Sequence, residues 1–241
     1  MSKSVALLAM GPSLIGYLAM TSANNRNARV TDKVWALNAA AYWINDIDRA
    51  FSMDDLQRDK ENWPGYVEGL QRPGIPLYSS RAYPEIKGSV EYPLEEVHTA
   101  LALPPPWDKQ WMDNTANYML ALAITEEYDS IILAGYDYGR DLYGLNPRYL
   151  REMFCDLKGN EPAWMALYRE KSMKGDGEPG AHSSAFLCGI AVSRGIKVTV
   201  IPGTRLMNYD RAGFLYGYQE VPDWAWPGMW PLEDVPERPP E

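Results

Sequence analysis

The residues of this chain that can carry chemistry stand where apolar runs stop. Ser4 to Leu14 reads SVALLAMGPSL, and its run Val5 to Met10 suits a strand buried on both faces of a parallel sheet. Gly11 and Pro12 break that strand, and Ser13 stands where an N-cap stands, ahead of the apolar segment Leu14 to Met20. A strand that stops at glycine and turns into a helix leaves backbone N–H groups facing open space. The helix dipole favours an anion there, and phosphate is the obvious one. The same residues also suit an ordinary tight turn, since a single glycine is not a GxGxxG motif.

Other strand ends repeat the pattern. Val34 to Ala39, VWALNA, reads as a second strand, and Asn38 near its end either caps the local turn or faces the crevice where open α/β sheets bind ligands. Asp48 to Met53 reads as a third strand running into Asp54-Asp55. One of those carboxylates can face a ligand or metal while the other caps, or both simply begin the helix DDLQRDKENW. Thr115 to Glu127 has helical spacing, with Asp113, Asn114 or Thr115 as N-cap, and leads into the strand Ser130 to Ala134. That strand ends in Gly135-Tyr136-Asp137-Tyr138-Gly139, a second set of polar residues at a carboxyl end. The loop Lys174 to Gly180 delivers His182 to the head of the helix Ser183 to Arg194, and Ile196 to Ile201 closes the pattern as a last strand. A histidine at a helix start is often only a cap or a packed surface residue.

The elements that must position these residues predict an α/β fold: a Rossmann-like, mainly parallel sheet with helices on both faces, spanning residues 1–203 of the 241. Within it, about 62–110 loses periodicity, is rich in proline and reads as an irregular insertion or lid, with short strands at Ile75 to Ser79 and Ser89 to Tyr92. His98 there reads as structural, and Pro104 to Pro106 as stiff spacer. Pro147 to Phe154 and Pro162 to Met173 read as helices. Residues 204–241 form an aromatic, Pro-rich tail expected to pack outside the sheet or fray, whose Trp224, Trp226 and Trp230 have faces that could stack on a sugar or base.

Composition narrows the partners. With 32 acidic against 23 Lys and Arg residues the net charge is −9, which argues against a broad nucleic-acid footprint, a local basic channel apart. Cys155 and Cys188 make no CxxC or Cys/His grouping, so neither a metal site nor a disulfide framework is expected, and a reducing cytoplasm fits. The N-terminal apolar stretch lacks a basic flank and is too short to span a bilayer. No later segment approaches the roughly 20 apolar residues that a membrane helix needs. Oligomeric state is not legible.

Four matches in order carry a resemblance: GPSL at Gly11 to Leu14, Leu37-Asn38, the run NTANYMLALAITEEYDSIILAGYDY from Asn114 to Tyr138, and His182 followed by helix and strand. This resembles the pattern of the Campylobacter-type bacterial sialyltransferases and the related MptE-like, or domain-of-unknown-function 115, proteins, over roughly residues 4–201, with the middle third matching poorly. The resemblance implies a Rossmann-like transferase that takes a nucleotide-activated donor, a nucleotide sugar, and moves its group to a hydroxyl acceptor. No tightly bound cofactor is implied. Gly11, Pro12 and Ser13 would line the phosphate side, Asn38 would hold ribose or base, and Asn114 and Thr115 would offer a helix start to the diphosphate. Gly135 and Asp137 would form the far wall, and His182 would be the general base.

Two departures qualify this. Tyr138 and Tyr143 are available to help the departing phosphate, but neither falls on the family's tyrosine positions. Ala9-Met10 replaces the glycine-asparagine of the usual GNGPSL, which removes a polar contact, so the donor need not carry a sialic acid. The MptE-like branch implies an alternative, an ATP-dependent diphosphotransferase with Mg²⁺ held by Asp54, Asp55 or Asp137. A non-enzymatic nucleotide- or partner-binding module is the third.

Overall fold

Strand β1 (Ser4–Leu8) is buried on both faces, as its unbroken apolar run requires: Val5 to Leu8 expose no surface. The computed structural model describes residues 2–11, 13–23, 29–103, 112–138, 179–201 and 206. After β1 the chain forms α1 (Leu14–Ala23), β2 (Lys33–Leu37), α2 (Asn38–Trp43), β3 (Arg49–Phe51), α3 (Leu56–Asn62) and α4 (Tyr66–Leu70). It continues through β4 (Leu77–Ser79), β5 (Ser89–Glu91), α5 (Leu94–Leu101), α6 (Thr115–Thr125), β6 (Ser130–Ala134), α7 (Pro179–Ser193) and β7 (Lys197–Val200).

Among the described residues seven strands make one sheet in the order β5-β4-β3-β2-β1-β6-β7, with every neighbouring pair parallel. This is the expected Rossmann-like arrangement. Strand progression runs outward from β1 to β5, then returns to β1's other side for β6 and β7. Right-handed crossovers therefore put the helices before β5 on one face and those after it on the other. Packing agrees: α4 lies against α2 and α3, and α6 lies against α5 and α7.

The reversal beside β1 matters most for the site. Parallel strands end at one edge, and where the strand order turns back the loops diverge and leave a crevice. Helices that follow a strand begin at that edge, and so do helices that precede the next one. Ser13, Asn38, Ser52, Thr115, Gly135 and His182 are all brought there by topology alone.

The stretch expected to be irregular does more than cover the sheet. Its strands at 77–79 and 89–91 pair in parallel with β3 and with each other, and they extend the sheet to its edge. Both fall within the short strands expected at Ile75 to Ser79 and Ser89 to Tyr92, at three residues each. The helices expected at Pro147 to Phe154 and Pro162 to Met173, the spacer from Pro104, Cys155 and the tail from 207 onward lie outside the described residues.

Candidate functional site at the carboxyl edge of the sheet

Beyond their last paired residues β1 and β6 remain stitched together: Ala9 N donates to Ala134 O and Gly11 N to Gly135 O, both at 2.8 Å. Ser13 completes the seam. Its amide donates to Asp137 Oδ2 at 2.5 Å, and its hydroxyl oxygen accepts from Gly135 N at 2.9 Å. The negative charge attracted by the start of α1 thus comes from the chain itself. Ser13 is 6% and Asp137 4% exposed, so the pairing is internal. The glycines make room for it: a Cβ on Gly11 would overlap the Asp137 carboxylate, and one on Gly135 would overlap the Ala9 carbonyl. Gly135 also has φ +79°, which L side chains rarely adopt.

Across the crevice, α6 begins with a side-chain cap. Asn114 Oδ1 accepts from Asn117 N at 3.1 Å. Thr115 Oγ1 accepts from Met53 N at 3.3 Å, which ties the start of α6 to the tip of β3. Tyr138, just past β6, donates its phenolic proton to Ser184 Oγ on α7 at 2.5 Å and receives a hydrogen bond from the Asn114 side chain. Burial pushes that phenol well above its ordinary pKa, so the group stays neutral. Gly180 lies against the same pair, where a Cβ would overlap the Asn114 amide.

Asn38 follows β2 directly, with φ +46°, a left-handed conformation that asparagine tolerates. Its side chain caps nothing: Leu37 is the N-cap of α2 and makes no side-chain cap bond, and Asn38 Oδ1 is buried with no hydrogen-bond partner. Ser52 is in the same condition one strand over, wholly buried with its hydroxyl unpartnered. Sequence reasoning missed Ser52, although it follows β3 as Asn38 follows β2. That equivalence of position was the available signal.

Of the adjacent carboxylates, Asp55 is the cap of α3 and accepts from Gln57 N and Arg58 N. Asp54 is exposed. Asp59, one turn into α3, is 8% exposed, and its carboxyl is raised to about 6, first by burial and then by Asp54 and Asp55. Among the described residues no three His, Cys, Asp or Glu side chains group as metal ligands.

His182 stands in the first turn of α7 and is exposed, off the buried face formed by Ser184, Leu187, Cys188 and Ala191. Burial pushes the Cys188 thiol up to about 11, which keeps it unreactive. Pro12 and Tyr143 lie outside the described residues. No described helix is long and apolar enough to cross a membrane.

No family model matches the chain, and no curated protein does. Solved structures do. The sialyltransferase CstII from Campylobacter jejuni, in complex with the substrate analogue CMP-3FNeuAc, is similar at a TM-score of 0.47 and 14% identity, over 87% of this chain and 85% of that one. The complex of the same enzyme with cytidine-5'-monophosphate gives 0.43 and 14%, over 86% and 83%. An α-2,3-sialyltransferase from Campylobacter jejuni in apo form gives 0.41 and 14%, over 86% and 79%.

Proposed function

We propose that this chain is a transferase that holds a nucleotide-activated donor, a nucleotide sugar, at the carboxyl edge of its sheet and moves the activated group to a hydroxyl acceptor. The observation that carries this is Asn38: a buried amide oxygen with no partner, on a left-handed backbone, at a strand tip beside the point where the strand order reverses. An unpaired buried acceptor costs about 1–3 kcal/mol, and a ligand's N–H or O–H removes that cost. Ribose hydroxyls and base amines both qualify.

Each residue then has a role suited to its surroundings. The start of α6 offers its dipole to the phosphates, and the Thr115 hydroxyl, whose oxygen is already engaged by Met53, has its proton to give. The Ser13 hydroxyl is placed likewise by Gly135. Asp137 holds the Ser13 turn in shape, and Gly11 and Gly135 keep the wall thin. The phenol of Tyr138 is spent inside the protein, so its part is to hold α7 and not to meet the leaving phosphate.

In the transfer itself the acceptor oxygen bonds to the donor's activated carbon, and the bond from that carbon to phosphate oxygen breaks. The electron pair leaves with the nucleotide, and the hydroxyl proton passes to the exposed imidazole of His182. Holding donor and acceptor together supplies most of the rate gain in such a scheme, with proton removal adding about 10²–10⁴-fold.

A thermal-shift panel of CMP-, UDP- and GDP-linked sugars, with ATP and Mg²⁺ as a further arm, tests this. One nucleotide-sugar class at about a hundred times its Kd raises the Tm by on the order of 5–10 °C. A shift with ATP and Mg²⁺ alone favours diphosphate transfer, and no shift in any arm overturns nucleotide binding.

A further inference from the structure

We infer that Asn117 and Ser184 are positioning residues for this reaction, because a buried hydrogen-bonded chain through their side chains locks the His182-bearing turn of α7 against the start of α6. The inference rests on the transferase reading given above. Both side chains are wholly buried between two helices that are apolar over most of their surface.

Proton bookkeeping fixes the direction of the chain. Asn117 Oδ1 can only accept, so Ser184 spends its single hydroxyl proton on it, at 2.5 Å. Tyr138 must therefore donate to Ser184. At the far end Asn117 Nδ2 donates to Asp113 Oδ1 at 2.6 Å and reaches Gly180 O at 3.4 Å. Ser183 Oγ adds a bond to Asp113 Oδ2 at 3.3 Å. Donors all point one way, from the phenol toward a carboxylate, and such aligned bonds reinforce each other.

Apolar side chains at 117 and 184 would pack between these helices in several registers. The polar pair is satisfied in one. Slipping α7 by a residue turns it about 100° and strands two buried polar groups. His182 lies between the two anchored positions, Gly180 and Ser184, while Asn114 and Thr115 lie at the other end of the same lock. The pair thus sets the span from proton acceptor to phosphate end, and an error of about 1 Å in such a span costs on the order of 10²-fold in rate.

The test uses the full chain with Ser184→Ala/Asn117→Leu, which removes both members of the pair together and leaves the Tyr138 hydroxyl its bond from the Asn114 side chain. Ser184→Ala alone, the loss of one atom, serves as the second variant should the first fold poorly. Release of free nucleotide from CMP-, UDP- and GDP-linked sugars is followed, together with hydrogen exchange in peptides covering 179–186 and 130–134. We expect kcat to fall about 10–100-fold for the double variant and about 10-fold for Ser184→Ala, with KM for the donor within about threefold. Exchange should quicken at 179–186 and hold at 130–134. Unchanged kcat in folded variants of an active protein overturns the positioning role alone. A wild-type chain that releases nucleotide from no donor overturns the transferase reading, and this role with it.

Discussion

Asp137 Oδ2 accepts the backbone proton of Ser13 across the seam between β1 and β6, over a sequence separation of 124 residues. A carboxylate at a helix start is favoured by the dipole, and here it also closes the turn that begins the site. Replacing Asp137 with Ala should cost about 1–2 kcal/mol, as the loss of a cap usually does. Asp137→Asn, which retains an acceptor oxygen, should cost roughly half of that or less. Urea midpoints of the two variants decide it, and equal losses would mean that the charge outweighs the bond.

Asn38 allows backbone and side chain to be separated. Asn38→Gly keeps the left-handed backbone at no steric cost and deletes the amide, so stability should change by less than about 1 kcal/mol while nucleotide-sugar affinity falls at least about tenfold. Asn38→Ala adds backbone strain of order 1 kcal/mol on top. Binding that survives Asn38→Gly would remove the residue from the donor site.

His182 is exposed, so His182→Ala should leave the denaturation midpoint where it is, within about 0.5 kcal/mol. Turnover should drop by about 10²–10⁴-fold with donor KM retained. Unimpaired biological activity alongside intact nucleotide binding would instead make the chain a binding module.

Asp59 gives a pH dependence with a definite sign. Its carboxyl titrates near about 6 in the folded chain, above the usual carboxylate range, because burial and then Asp54 and Asp55 disfavour its charge. Between about pH 4 and 6 the folded state therefore holds more of this proton than the unfolded state, and this group's contribution to stability declines as pH rises through that window. Asp59→Asn should raise the Tm at pH 8 by a few degrees and much less at pH 4.5. A Tm gain equal at both pH values would show that the group ionises freely.

Much of this architecture was readable from residue types, and the exceptions share a cause. The β1, β2 and β6 runs announce themselves because strands in the interior of a parallel sheet are largely apolar, whereas β7, an edge strand with Lys197 and Thr199 exposed, reads from its β-branched residues. Residues such as Gly11, Asn38 and Gly135 stand out because they end those runs. Ser13 was expected to cap its own helix, yet its hydroxyl serves Gly135, 122 residues away, and no local pattern encodes that partner. Asn117 and Ser184 were invisible for the same reason. A serine in an apolar helix reads as surface until its partner, 67 residues off, is known. Asp54-Asp55 left two roles open, and geometry assigned the cap to Asp55.

The pairing of Ser4 with Ser130 has a consequence for synthesis. Of the seven strands β1 leaves the ribosome first, and it acquires its second neighbour only 126 residues later, which at about 5–20 residues per second is roughly 6–25 s. Throughout that interval a fully apolar strand has one side open to pairing with other nascent chains. The junction of β1 with β6 is therefore where chaperone dependence and misassembly during translation concentrate.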